Sequence, residues 1–178
     1  MPRLSKFRSV MAVGALAVVA VAVAVATFSM AAEPASNDAQ REEVRQLIDR
    51  YFRTWSSQDM ERYGQCFMPQ AAVQLIDDNG QLTTMPLTPF LKVQQEGHRR
   101  SANRMVETPE TVEIRFDAKL AHALVYWKLV DGPRIAYGYD HFTLMRSEGK
   151  WRIANLVFYT VQPPSLEERE QPSTGYPK

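Results

Sequence analysis

Asp140 is the residue in this sequence on which an argument for chemistry can be built. It sits in the run G-Y-D-H-F-T-L, where apolar residues alternate with polar or aromatic ones. If that run is a strand, Asp140 shares a face with Phe142 and Leu144. A carboxylate on an apolar face loses hydration and its pKa rises, which suits a general base acting near neutral pH. Structural carboxylates show the same burial when they order a polar neighbour, and Asn155 is such a neighbour in the pairing derived below. Asn155 therefore has two readings: a donor to a ligand carbonyl, or the amide that satisfies Asp140. Tyr51, Trp55 and Tyr63 offer aromatic surface to a planar compound, at a spacing that suits ordinary helix core equally well.

Other reactive side chains carry less. His122 and His141 fall at diagonal positions of neighbouring strands, but no carboxylate or third histidine accompanies them, so a surface or interface role is expected and no metal. His98-Arg99-Arg100 reads as a basic helix end, solvated or meeting an anion at a pocket mouth. Cys66 is the one cysteine, which excludes an intrachain disulfide. Beside Phe67 and Met68, without a His or Asn signature, it reads as a buried thiol. No Ser-His-Asp spacing, phosphate-cradling glycine loop or metal motif is present, and no cofactor is expected.

These groups need a sheet to position them. Glu148-Gly149 is a tight-turn dipeptide between two strand-like runs. Pairing Ser147 with Lys150 and counting outward sets Leu144 opposite Ile153, Phe142 opposite Asn155, Asp140 opposite Val157 and Gly138 opposite Tyr159. One face then carries Trp151, Ile153, Leu144 and Phe142 around Asp140 and Asn155. The other carries Tyr137, Tyr139, His141, Leu156 and Phe158. A second turn, Asp131-Gly132-Pro133-Arg134, sets Val130 opposite Ile135. That places Val125 beside Asp140, Ala123 beside Phe142 and Trp127 beside Gly138, so both hairpins assign the apolar face to the same side.

Upstream, Val44, Leu47, Ile48, Tyr51, Phe52 and Trp55 recur at helical spacing in a helix starting at Asn37 or Asp38 and ending near Ser56-Ser57. Asp59 to Phe67 reads as a second, shorter helix broken by Pro69. Ala72–Asp77 and Leu82–Met85 flank the turn Asp78-Asn79-Gly80. Thr88 and Pro89 open a third helix that Gly97 ends. Segments near Arg104–Val106 and Thr111–Phe116 and then Leu120–Val130 lead into the opening hairpin. The order is helix, helix, short hairpin, helix, long antiparallel meander, which is an α+β arrangement.

The ends read differently. Arg3, Lys6 and Arg8 precede an Ala/Val-rich run from Val10 to Phe28, and Ser29-Met30-Ala31 offers a signal-peptidase site. Residues 1–31 are expected to be an export signal, with a retained membrane anchor as the alternative, so the domain is periplasmic or secreted. Without Arg3, Lys6 and Arg8 the remaining 18 basic and 20 acidic residues give a net charge of −2. A near-neutral domain without basic clustering excludes nucleic acid as a partner. Residues 32–38 read as a linker, 39–161 as the domain and 162–178 as a flexible, Pro-rich tail.

The runs Y-F-R-T-W-S-S-Q-D-M-E-R-Y and F-T-L-M-R-S-E-G-K-W-R-I-A-N, with this order of elements, resemble the nuclear transport factor 2-like (NTF2-like) superfamily. That group includes ketosteroid isomerase and the SnoaL-like proteins, and the helical half also resembles its lumazine-binding-like subgroup. The resemblance covers about residues 40–160. It implies a cone-shaped fold, three N-terminal helices packed on the concave face of a curved, mostly antiparallel sheet, and a pocket between them. The register lines that pocket with Tyr51, Trp55, Tyr63, Val125, Trp127, Phe142, Asn155 and Tyr159 around Asp140. The resemblance also implies a homodimer through the outer sheet face, here Tyr126, Tyr137, Tyr139, His141, Leu156 and Phe158. The superfamily holds enzymes, binding domains and assembly modules, so fold does not give function. The paired acids of the isomerases reduce to Asp140 alone, and the dehydratases' inner-face histidine is missing. Three functions stay open: binding of a small, largely apolar or aromatic molecule, isomerase or dehydratase chemistry with Asp140 as base, or a non-catalytic interaction module.

Overall fold

A computed structural model of the chain describes residues 37–163. The expected export signal and most of the Pro-rich tail lie outside the described residues.

Helix α1 (Asn37–Ser56) buries Val44, Leu47, Ile48, Tyr51, Phe52 and Trp55, the stripe its periodicity foretells. Gln58 turns the chain through a positive φ of 63°. Asp59 then caps α2 (Met60–Gly64), its carboxylate accepting from the Arg62 amide at 3.0 Å. The second helix is thus shorter than expected. Phe67 and Pro69 belong instead to β1 (Phe67–Ile76), which pairs with β2 (Leu82–Pro86). Helix α3 (Leu87–Arg100) continues past Gly97 and ends at Ser101, whose amide donates to the Gly97 carbonyl at 3.1 Å. Three long ladders follow, built from β3 (Met105–Phe116), β4 (Leu120–Asp131), β5 (Arg134–Ser147) and β6 (Lys150–Val161). The two segments expected around Arg104 and Thr111 are one strand, β3.

The six strands form one curved, open sheet in the order β2-β1-β6-β5-β4-β3. The α+β class holds with two refinements. The sheet is mixed, because β1 runs parallel to β6. Only α1 and α2 precede it in the chain; α3 comes after the first hairpin. The core lies between the helices and the face carrying Ala121, Ala123, Val125, Trp127, Phe142 and Leu144. Full burial of side chains the size of Phe52 or Leu144 contributes about 2–3 kcal/mol each.

Two ladders are irregular, and both irregularities decide what faces the core. The β4–β5 pairing is continuous and matches the expected register, with Val125 opposite Asp140 and Trp127 opposite Gly138. In β5–β6, Leu144 pairs with Ile153 as expected, but Thr143 pairs with Asn155. Ala154 is therefore an extra residue, a β-bulge, and every later residue of β6 faces the opposite way from the simple count. Leu156 and Phe158, expected on the outer face, turn inward; Asn155, Val157 and Tyr159 turn outward. Asp140 pairs with Phe158 rather than Val157. In β3, Pro109 pairs with Trp127 while Thr111 pairs with Tyr126, so Glu110 is a second bulged residue. It brings Glu107, opposite Leu129, to the inner face.

Candidate functional site

Asp140 is 3% exposed, on the inner face of β5. Its Oδ1 accepts from Trp127 Nε1 at 2.8 Å. Its Oδ2 has no hydrogen-bond partner. Gly138 makes the first contact possible: a Cβ there would meet the Trp127 ring at 2.2 Å and the Tyr159 carbonyl at 2.3 Å. The missing side chain leaves the indole room to lie across β5 and reach the acid two residues on. Tyr51 descends from α1 and touches Phe142 edge-on, with centroids 5.1 Å apart. Its ring is 4.8 Å from that of Tyr63.

These groups border a cavity of about 160 Å³ lined by Tyr51, Trp55, Tyr63, Phe90, Gln94, Glu107, Trp127, Leu129, Asp140, Phe158 and Thr160. Six of the eleven are aromatic and two are acids, so the site is apolar in bulk and anionic in its ionisable groups. Gln94, Glu107, Leu129 and Phe158 are partly exposed and Thr160 is exposed, which marks the mouth. Trp55 Nε1 donates to Gln94 Oε1 at 2.9 Å, which ties α1 to α3 along the wall.

Burial dominates the electrostatics. It pushes the Asp140 carboxyl up to about 7, against the pull of Tyr51 and Trp127 toward the charged form. Burial also raises Glu107 well above the carboxylate range, and the nearby Asp140 charge raises it further. The two acids titrate as a pair. Tyr51 and Trp127 favour the charged form of Asp140 within that pair. Tyr51 and Tyr63 are held well above their usual value by burial first, with both acids adding to the effect.

Of the residues expected around the pocket, the structure brings together Tyr51, Trp55, Tyr63, Trp127 and Asp140. Val125 and Phe142 are buried beside the site rather than on the cavity wall. Asn155 and Tyr159 are not there, because the Ala154 bulge carries both to the other face. Asn155 therefore neither holds a ligand in the cone nor satisfies Asp140. It lines an outer groove of about 510 Å³ with Glu113, Arg115, His122, His141 and Thr143. That groove is roomier, but its charged groups stay in contact with water. The enclosed Asp140, which water does not screen, makes the cone cavity the stronger candidate.

On the outer face His141 Nε2 lies 3.3 Å from the Tyr159 hydroxyl, and His122 Nε2 lies 3.5 Å from Asp117 Oδ2. Among the described residues no group of three His, Cys, Asp or Glu side chains is placed to hold a metal ion. His98 is not a solvated helix end: its ring is buried 4.3 Å from that of Trp55, neither ring nitrogen has a partner, and burial lowers its pKa. Arg99 and Arg100 both pair with Glu96 at 2.7 Å, in solvent. Cys66 is buried, and burial pushes its thiol up to about 11, too high for a nucleophile at neutral pH.

The acid missed from the sequence is Glu107. Simple alternation from Val112 and Ile114 puts residues 110 and 108 inward and 107 outward. The available signal was Pro109, because a proline inside a strand cannot donate to the ladder and often accompanies a bulge.

Comparison with known proteins agrees with this architecture. The family profile described as "Putative lumazine-binding" matches residues 39–159. An NTF2-like protein of unknown function from Pseudomonas putida superposes with a TM-score of 0.60 at 14% identity, covering 79% of this chain and 98% of that one. A protein described as a putative scytalone dehydratase from Novosphingobium aromaticivorans gives 0.59 at 15% identity, covering 71% and 87%. An NTF2-like protein of unknown function from Shewanella baltica gives 0.56 at 17%, covering 73% and 100%. No curated protein matches the chain by sequence. At these identities the solved structures speak for the fold, whereas the profile spans well over half of the chain. The chain belongs to the "Putative lumazine-binding" family, on a fold shared with NTF2-like proteins.

Proposed function

We propose that this protein is an exported binding domain that holds a small, largely apolar or aromatic molecule in the cone cavity, without need of catalysis. The observation that carries the reading is the aromatic-walled cavity of about 160 Å³, open at Thr160 and closed by Tyr51, Tyr63 and Trp127. A space of that size takes one or two small rings and lies below the few hundred Å³ typical of drug-sized sites. The family's description, and with it lumazine as a probe, supports the same reading. The basic start and apolar run of residues 3–28 support export.

The test is thermal denaturation with small neutral, anionic and cationic aromatic compounds, lumazine included. A binder raises the melting temperature in a concentration-dependent manner. Leu129→Trp, which fills the mouth, removes that rise. No shift from any compound overturns the proposal.

A second reading has its own support. A carboxyl pushed up to about 7 beside an enclosed space suits a general base acting on a carbon acid, as in isomerases and dehydratases. Asp140→Asn would then abolish hydrogen–deuterium exchange of a bound ketone while leaving its affinity intact. If wild-type protein shows no exchange with any ketone that binds, this reading falls.

The homodimer is proposed on the outer face. Tyr126 stacks on Tyr137 with centroids 5.8 Å apart, and Tyr139 and His141 extend the cluster toward Tyr159. Leu156 and Phe158 take no part, since both face inward. Sedimentation that finds only monomer at micromolar concentration removes the dimer.

A further inference from the structure

We propose that the cone cavity selects a small organic cation: a protonated amine set among the aromatic rings, its N–H groups directed at the free oxygen of Asp140. This rests on the binding reading above and narrows it to one chemical class.

The first support is the balance of charge. Two acids, Asp140 and Glu107, line the cavity, and no lysine, arginine or histidine does. A buried carboxylate without a counter-charge is costly. A neutral ligand leaves that cost in place, an anion adds to it, and a cation relieves it.

The second is the balance of hydrogen bonds. Both indole N–H groups on the wall are already used, Trp127 on Asp140 Oδ1 at 2.8 Å and Trp55 on Gln94 Oε1 at 2.9 Å. Asp140 Oδ2 remains, fully buried and without a donor. A buried acceptor of this kind calls for a donor; the nearby Tyr51 hydroxyl favours its charge but makes no full hydrogen bond to it. An ammonium brings donors and charge together, and charge-assisted bonds to carboxylate are the stronger kind.

The third is the wall itself. Tyr51, Trp55, Tyr63, Phe90, Trp127 and Phe158 present π-systems whose negative faces attract cations in a desolvated site. Aromatic rings and a carboxylate around one small space make up a recognition set for ammonium groups. The same rings alone would accept any flat neutral molecule, so the acids are what confer the selectivity.

The test is calorimetric titration of the full-length protein at pH 8 with benzylamine, toluene and benzoate, three probes of similar shape and different charge. Benzylamine is expected to bind at least tenfold more tightly than toluene, and benzoate more weakly than either. Asp140→Asn should bring the ratio of benzylamine to toluene affinity down to about one. If that variant does not fold, Glu107→Gln on the cavity wall serves instead, with a smaller fall in the same ratio. Equal affinity for benzylamine and toluene, or tightest binding of benzoate, overturns the cation proposal while leaving a binding cavity in place. Binding of none of the three overturns both.

Discussion

The ladders on either side of β5 teach different lessons. On the β4 side twelve consecutive pairs run without interruption, from Leu120–Met145 to Asp131–Arg134. On the β6 side the ladder breaks once, at Ala154, and the faces exchange. Both ladders begin at turns that the sequence announces, and β5 is common to both. The difference is one residue, and it moves Phe158 to the cavity wall and Asn155 to the far side of the sheet. The outer edge of the sheet repeats the point, since the Glu110 bulge gives the cavity its second acid. A site that counts as one carboxylate on unbroken strands has two once the bulges are present.

The comparison can be broken most severely at Ala154. Inserting one residue after Ala154 moves every later residue of β6 one step along the ladder, and so turns Leu156 and Phe158 outward unless the bulge widens to absorb it. Losing the burial of two such side chains costs about 4 kcal/mol. Chemical denaturation should show that loss, and near-complete unfolding if the domain has ordinary marginal stability. A variant as stable as the parent would mean that the bulge does not set the faces.

Gly138→Ala tests the uninterrupted side. The added Cβ falls 2.2 Å from the Trp127 ring and 2.3 Å from a backbone carbonyl, so the indole must leave Asp140 or the strands must part. Overpacking of this kind costs about 3 kcal/mol. The fluorescence of Trp127 should change with it, which Gly138→Ala/Trp127→Phe controls for.

The smallest effect per step is the pH dependence of stability. Asp140 ionises near 4 when unfolded and near 7 when folded. The folded state therefore binds more protons in that window, and stability falls as pH rises through it, by about 1 kcal/mol per pH unit. Glu107, also raised, extends the fall upward. His98 acts in the opposite sense: its folded pKa is lowered, so its share of stability is lost as pH falls below about 6.5. Asp140→Asn should flatten the fall seen as pH rises from 4 to 7, and His98→Asn the fall seen as pH drops below about 6.5, in melting temperatures measured from pH 4 to 8. A fall that persists in Asp140→Asn would assign it to another group.

Much was legible beforehand. The stripe from Val44 to Trp55 fixes α1, because a period of 3.6 residues leaves one burial face. Asp131-Gly132 and Glu148-Gly149 announce their hairpins, and Glu148 and Gly149 do adopt φ values of 52° and 76°. The inward position of Asp140 follows from its parity with Phe142 and Leu144 on the unbroken ladder. Less was legible at His98, whose basic neighbours suggest a solvated helix end until α3 is seen to continue beyond Gly97 and turn the imidazole under Trp55.

By itself the sequence determined the elements, their order and one buried acid, since these depend on residue type and short-range period. Only the tertiary structure decided which residues meet that acid. A bulge is stabilised by how neighbouring strands curve and pack, and an extra residue looks the same as any other in a list. Because the side-chain period of a strand is two, each such residue reverses everything beyond it, and so Glu107 and Phe158 join Asp140 while Asn155 and Tyr159 do not.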